Sequence, residues 1–356
     1  MASKNSIKVL VTGASGFVAT HCVQQLLVGG YTVRGTVRSL KNPEKVQPLR
    51  DLNFAKERLE LVEADLEKPD TWPKAVDSCK YVLHVASPFP TTPDENTIKV
   101  AVDGTLNVLK ACAKCHSVEK VVLTSSIAAI TYGHEDSNKT FTEKDWTNID
   151  GKSVNDYLKS KTIAERAAWD FVKSIPEGDN KFKLTCLNPG GVFGPSLTDI
   201  QGTSVEIVKR LLNHEMPGLP HLGVAAVDVR DVAKAHILAM ENPNSDGERI
   251  LLCHEASLWL TDLAKFLDKE FGPHGYCIPK RNLPYFLVWL ASFFDSSVKG
   301  ILPMIGHAVK IDNSKAKNIL HLEFIHPEKS LVDMGYSLIE RGIVPKKSGY
   351  KPRTRL

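Results

Sequence analysis

Residues 11–19 read VTGASGFVA, two glycines spaced G-x-x-G between an apolar run and a helical pattern. Such a stretch needs a tight turn, a backbone that can approach a ligand closely, and a helix whose N-terminus faces negative charge. The rest of the first half repeats the strand–helix alternation. IKVLVT, TVRGTV, LELVEA, YVLHVA and KVVLTS are strand-like, and FVATHCVQQLLVGG, PEKVQPLRDL, PDTWPKAVDSC and residues 94–114 separate them with helical patterns. A further helix, Val154–Val172, precedes the strand FKLTCLN. The strands are apolar along their whole length, as strands covered on both faces must be. The fold class predicted is α/β, a Rossmann-type doubly wound parallel sheet.

After Pro189 the texture changes. Glycine and proline become frequent in NPGGVFGPS and MPGLPHLG, helical patterns recur near Val205–Asn213, Val229–Glu241 and Thr261–Phe271, and the chain is irregular from Gly272 to Pro284. We expect residues 1–188 to form a dinucleotide-binding domain to which 226–253 return. Residues 189–225 and 254–344 form a smaller, discontinuous C-terminal substrate lobe, and 345–356 a basic, solvated tail. That tail, PKKSGYKPRTRL, holds five basic residues and no acidic one, so the net charge of +4 belongs to it and the body is near neutral. A nucleic-acid role has little electrostatic support.

The N-terminus lacks the apolar core of a signal peptide, and Leu283–Phe294 (LPYFLVWLASFF) is too short to span a bilayer. This segment reads as a buried or lid helix, with docking on a membrane surface as the alternative. Seven irregularly spaced cysteines point to reduced thiols in a cytoplasmic protein. Cys112–His116 spells CAKCH, the spacing of haem attachment. Without an export signal, its cysteines are expected to be packing residues at a helix end. The final TRL resembles a peroxisomal address, the alternative to a cytoplasmic location.

Three further features carry chemistry. Arg38 ends TVRGTVR where a carboxylate would otherwise grip an adenosine ribose, and a guanidinium there favours a 2′-phosphate. Arg34, Lys41 and Lys45 add positive charge nearby. In YLKSK, Tyr157 and Lys161 stand one helical turn apart, and an ammonium beside a phenol lowers the phenol's pKa. A second Y-x-x-x-K, Tyr276–Lys280, contains Pro279 and is not expected to be helical. Ser125 and Ser126 end the fifth strand, where a hydroxyl can hydrogen-bond a carbonyl oxygen. No His/Cys/Asp cluster has metal-ligand spacing, and no metal is expected.

Together these stretches resemble the extended short-chain dehydrogenase/reductase family, in its dihydroflavonol-4-reductase-like branch of carbonyl and aldehyde reductases. ADL (64–66), HVASP (84–88), VDGTLNVLKAC, YLKSKTIAE, LNPGGVFGP and VRDVAKAHILAMENP also carry the likeness, which runs from about Ile7 to Val344. The resemblance implies a catalytic Ser126, Tyr157 and Lys161. It implies NADP(H) held by Thr12, Gly13, Ser15, Gly16, Phe17, Val18, Arg38, Lys45, Asp65, Leu66, Val85, Ala86, Ser87, Thr124, Pro189 and Val192, together with Tyr157 and Lys161.

Departures from the family pattern bear on substrate. Ala19 replaces the third glycine, at a packing position rather than a phosphate contact. Where flavonoid reductases carry Asn or Asp five residues after the serine, this chain has Thr131; their glutamine-bearing segment corresponds to GVAA (223–226). Losing such polar groups weighs against a flavonoid. The expected pocket comprises Ser87, Phe89, Ser126, Thr131, Val192, Phe193 and Val224, with Leu197 nearby, and suits a small apolar or aromatic carbonyl. Expected partners are that small molecule and at most a weakly associated second copy. The alternatives on the same scaffold are a nucleotide-sugar epimerase or dehydratase, a hydroxysteroid dehydrogenase, or a non-catalytic NADPH-binding regulator.

Overall fold

The computed structural model describes residues 4–88, 94–134, 139–199 and 202–353. The first half alternates β1 (Lys8–Val11), α1 (Phe17–Val28), β2 (Thr32–Val37), β3 (Leu59–Glu63), β4 (Tyr81–His84), α2 (Glu95–Ala113), β5 (Lys120–Thr124), α3 (Asp156–Lys173) and β6 (Lys183–Pro189). There follow α4 (Thr203–Leu212), α5 (Val229–Glu241), β7 (Arg249–Leu252), α6 (Leu260–Phe271), α7 (Tyr285–Ala291) and α8 (Pro327–Glu340). The seven strands form one parallel sheet in the order β7-β6-β5-β4-β1-β2-β3. The order reverses between β1 and β4, the point where open α/β sheets bind ligands.

Period-two alternation explains how apolar strands cover both faces. Val9, Val11 and Val122 face one layer with Leu26, Val232 and Ala239; Leu10, Val121 and Leu123 face the other with Trp72, Val108 and Leu109. A third cluster gathers Phe193, Val205, Val208, Leu263, Leu267, Phe271, Leu331 and Leu338, joining α4, α6 and α8. α3 is capped by Asn155, whose side-chain oxygen accepts the Leu158 N–H at 3.0 Å.

Three expectations are corrected. α7 is not a buried helix: of its side chains only Val288 is buried, while Phe286, Trp289 and Leu290, and Phe293 and Phe294 beyond it, are exposed. Too few apolar neighbours reach this short helix to cover it on every side. The basic tail is pinned at least to Arg353, because Asp333 receives the Arg353 guanidinium and Tyr276 donates to the Pro345 carbonyl at 2.9 Å. Arg34 brings no charge to the nucleotide side. It is buried, its Nε on Glu60 at 2.9 Å and its Nη1 on the carbonyls of Lys74, Ala75 and Asp77. Cys112 is buried at the end of α2, and among the described residues no group of His, Cys, Asp or Glu is placed to hold a metal. No helix among them is long and apolar enough to cross a membrane. The terminal TRL lies outside the described residues.

Candidate active site

Parallel register sets the carboxyl ends of β1, β2, β4, β5 and β6 side by side, so the loops after them share one edge. After β1, Gly13 adopts φ +62°, and a Cβ there would lie 3.0 Å from the Ala86 Cβ. Only glycine meets both demands. Its N–H donates to Thr36 Oγ1 at 2.9 Å. Gly16 caps α1 with no side-chain hydrogen bond, so the first-turn N–H groups at Phe17 and Val18 are left for an anion. Ser15, Phe17 and Val18 are half-buried around this end, and Ala19 is buried against the sheet.

Thr12 is fully buried and braces the loop. Its Oγ1 accepts the N–H groups of Val85 (3.0 Å) and Ala86 (2.9 Å) and lies 2.9 Å from His84 Nδ1. Two acceptances fill the lone pairs of a hydroxyl, so its proton goes to Nδ1 and His84 carries its own on Nε2. Burial, then the charge of Lys161, pushes His84 down to about 3. Its Nε2 has no partner among the described residues.

Arg38 follows β2 directly, is exposed, and makes no ion pair among the described residues. Lys45 lies in the first turn of the helix Pro43–Arg50. Asp65 and Leu66 follow β3, which pairs β2 through Val37–Glu63; their carbonyls accept from Trp72 Nε1 and Asn107 Nδ2. These groups follow the carboxyl ends of β1, β2 and β3, which the parallel register sets side by side. The glycine cradle at Gly13 and the exposed Arg38, which makes no ion pair among the described residues, fit a dinucleotide carrying a 2′-phosphate.

On the other side, α3 presents Tyr157 and Lys161 on one face. Ser126 hydrogen-bonds the Tyr157 phenol. Lys161 Nζ donates to Ser87 Oγ at 2.7 Å and stands 5.7 Å from the Tyr157 ring centroid. Burial pushes the phenol up to about 12, the Ser126 hydrogen bond opposing it and Tyr132 adding to it. Burial also holds the Lys161 ammonium down to about 8. The expected lowering of the phenol by the ammonium is therefore not what this arrangement gives: desolvation raises the phenol, the Ser126 hydrogen bond is what opposes it, and Lys161 donates to Ser87.

The structure separates the serine pair. Ser125 Oγ donates to the buried Glu165 carboxylate at 2.5 Å, so only Ser126 faces the phenol. Thr124 turns its hydroxyl away, to His236 Nε2 at 2.6 Å. Pro189 closes β6, and a Cβ on Gly190 would stand 2.1 Å from the Ala225 carbonyl oxygen. This close approach brings residues 223–226 over the strand end. Val192 and Val224 are half-buried there, Val192 paired with Val227. Thr131 is buried with its Oγ1 directed at the Ile127 carbonyl, 3.4 Å away. Phe193 is 1% exposed and belongs to the third apolar cluster, against which Val224 also packs. Phe89 lies outside the described residues. Tyr276 and Lys280 do not align: the phenol bonds the Pro345 carbonyl and the ammonium pairs with Asp268 at 2.6 Å.

Sequence reading missed four residues around the site: His84, Glu165, Asn188 and Arg249. One signal was available, since Glu165 follows Lys161 by a further helical turn and stands on the face of Tyr157 and Lys161.

A parallel sheet of this order, with a glycine turn at the switch point and a Ser–Tyr contact beside a lysine, defines an oxidoreductase of the extended short-chain dehydrogenase/reductase type. The chain belongs to the 3-beta hydroxysteroid dehydrogenase/isomerase family, whose sequence profile matches residues 10–259. Its relatives include the cinnamoyl-CoA reductase CAD2 of Medicago truncatula, 42% identical over 68% of this chain and 75% of that protein. Cinnamoyl-CoA reductase 1 of Petunia hybrida is 36% identical over 97% and 96% of the two chains. The yeast methylglyoxal/isovaleraldehyde reductase Gre2, solved with NADPH, superposes with a TM-score of 0.79 at 30% identity, over 95% of this chain and 100% of that one.

Proposed function

We propose that this protein is an NADPH-dependent carbonyl reductase acting on small apolar or aromatic aldehydes or ketones. The observation that carries the reading is the convergence of Ser126, Tyr157 and Lys161 at the sheet edge that also bears the Gly13 cradle and the free Arg38. When bound, NADPH supplies the hydride for the carbonyl carbon. Ser126 orients the carbonyl by a hydrogen bond to its oxygen. Tyr157 donates its proton to the oxygen as that atom gains charge, giving the alcohol and leaving a phenolate. A phenol at about 12 is protonated throughout the neutral range, as a donor for reduction must be. Lys161, cationic below about 8, stabilises the phenolate until solvent returns the proton.

Several observations support the substrate class. Thr131 directs its hydroxyl at the Ile127 carbonyl, and Val192 and Val224 add no polar group. The relatives' names span cinnamoyl thioesters and small aldehydes. An epimerase or steroid dehydrogenase using NAD would gain nothing from an unpaired cation at Arg38, and a regulator would have no use for the three assembled groups. The test is NADPH oxidation against a panel of aliphatic aldehydes, aromatic aldehydes, ketones and cinnamoyl thioesters. Turnover of the uncharged carbonyls supports the reading; turnover confined to thioesters overturns the substrate class.

A further inference from the structure

Tyr157, Lys161 and Glu165 follow one another at intervals of four along α3, so a single stripe of the helix carries all three. Glu165 is 1% exposed, yet it is a carboxylate inside the core. Its four acceptor sites are all filled. Oε1 receives Arg249 Nε at 2.5 Å and Trp169 Nε1 at 3.3 Å; Oε2 receives Ser125 Oγ at 2.5 Å and Asn188 Nδ2 at 2.7 Å. The same Asn188 Nδ2 donates its other proton to the Ser126 carbonyl oxygen at 3.1 Å. Asn188 lies in β6 and is fully buried, and Ser125 N–H donates to Leu187 of that strand at 2.8 Å. Arg249, in β7, is itself held by the carbonyls of Glu143 and Asp145 and stacks 3.7 Å from the Trp146 ring centroid.

The consequence is geometric. Ser126 leaves β5 on a loop whose two flanking anchors, the Ser125 hydroxyl and the Ser126 carbonyl, both run to Glu165, one directly and one through Asn188. Glu165 shares a rigid helix with the phenol that Ser126 must meet. The carboxylate therefore ties the loop to the helix between the two catalytic groups. A hydrophobic pair of equal volume would hold a core as well or better than a buried ion pair; it would not fix a hydroxyl against a phenol.

We propose that Glu165 and Asn188 are positioning residues that set Ser126 against Tyr157, acting on catalysis only through Ser126. The inference rests on the catalytic reading of Ser126 given above. Misplacement of a reacting group by about 1 Å costs on the order of 100-fold in rate. Accordingly, E165Q and the near-isosteric N188L should lower kcat for carbonyl reduction by about 10- to 100-fold, while NADPH affinity by fluorescence titration stays within about 3-fold. Each change is also made in the S126A background. There it should cost less than about 3-fold further, because the group being positioned is already gone. If E165Q does not fold, N188L, which removes no charge, carries the test alone. A merely structural role is shown if kcat per folded molecule is unchanged, or if the losses multiply with S126A; either result overturns the proposal. If S126A by itself retains full activity, the reading of Ser126 fails instead, and the two failures are told apart by that single variant.

Discussion

Exchange of Arg38 for aspartate should reverse the choice of dinucleotide. Arg38 is exposed at the end of β2 and makes no ion pair among the described residues, so its charge is free for a ligand and removing it strands nothing in the protein. A hydrogen bond to a charged group is worth about 1.5–3 kcal/mol, and Arg38→Ala should thus lose about 10- to 100-fold in NADPH affinity. An aspartate in its place faces a phosphate of like charge. At about 5 Å and near-water dielectric, that repulsion adds about 1–2 kcal/mol, so Arg38→Asp should lose about 100- to 1,000-fold. NADH, which has no 2′-phosphate, should change by no more than about 3-fold, apart from what a carboxylate gains on the ribose hydroxyl. The assay is fluorescence titration with both dinucleotides, together with kcat/KM for each. The gap between wild type and variant should shrink as salt is raised to about 1 M, where the screening length falls to about 3 Å. An unaltered NADPH/NADH ratio in Arg38→Asp would refute the reasoning.

Other outcomes follow from the same groups. Lys161 is held at about 8 against its ordinary 10.5, so the unfolded chain binds more protons between those values and stability should rise with pH across that window. Lys161→Met should then raise the melting temperature at pH 7 by about 2–4 °C, a gain that disappears above about pH 10.5, while activity is lost; a lowered melting temperature would contradict this. Running in reverse, alcohol oxidation with NADP needs the phenolate, and its rate should climb with pH to the highest value the fold tolerates, because the phenol sits near 12. A plateau beginning at neutral pH would place the proton elsewhere. Gly13→Ala must adopt φ +62° and press on Ala86, which should cost about 1–2 kcal/mol of stability and most NADPH binding, read by thermal melts and titration.

The sheet was legible because its signal is local and repeated. Each strand is an apolar run and each crossover a helical pattern, and helix boundaries such as Val229–Glu241 follow directly from the periodicity. The candidate serine, tyrosine and lysine were legible because a helical spacing sets Tyr157 and Lys161 one turn apart and a strand end places the serine pair, with the family resemblance choosing Ser126. What sequence did not show depends on where side chains go over long separations. Arg34 reads in TVRGTVR as added charge near Arg38, and only the packing of residues 74–77 against β2 shows that it is consumed by carbonyls. Position at the strand end alone does not tell Ser125 from Ser126, which the resemblance chooses; the structure adds that Glu165, forty residues away from Ser125, takes the Ser125 hydroxyl. Phe193 reads as an apolar pocket neighbour, and its depth in the cluster that Val224 also joins depends on packing that the sequence does not show. α7 reads as a buried or lid helix, and burial is the part that does not hold, because it requires a partner surface that the described residues do not supply.

The central claim is that Tyr157 gives the proton for a hydride reduction by NADPH. The direct measurement is steady-state NADPH oxidation with the best carbonyl of the panel, wild type beside Tyr157→Phe, with NADPH affinity titrated in parallel. The account predicts that the phenylalanine variant binds NADPH within about 3-fold of wild type and loses at least about 100-fold in kcat, the contribution expected of a positioned general acid. A variant that keeps most of its rate would contradict it.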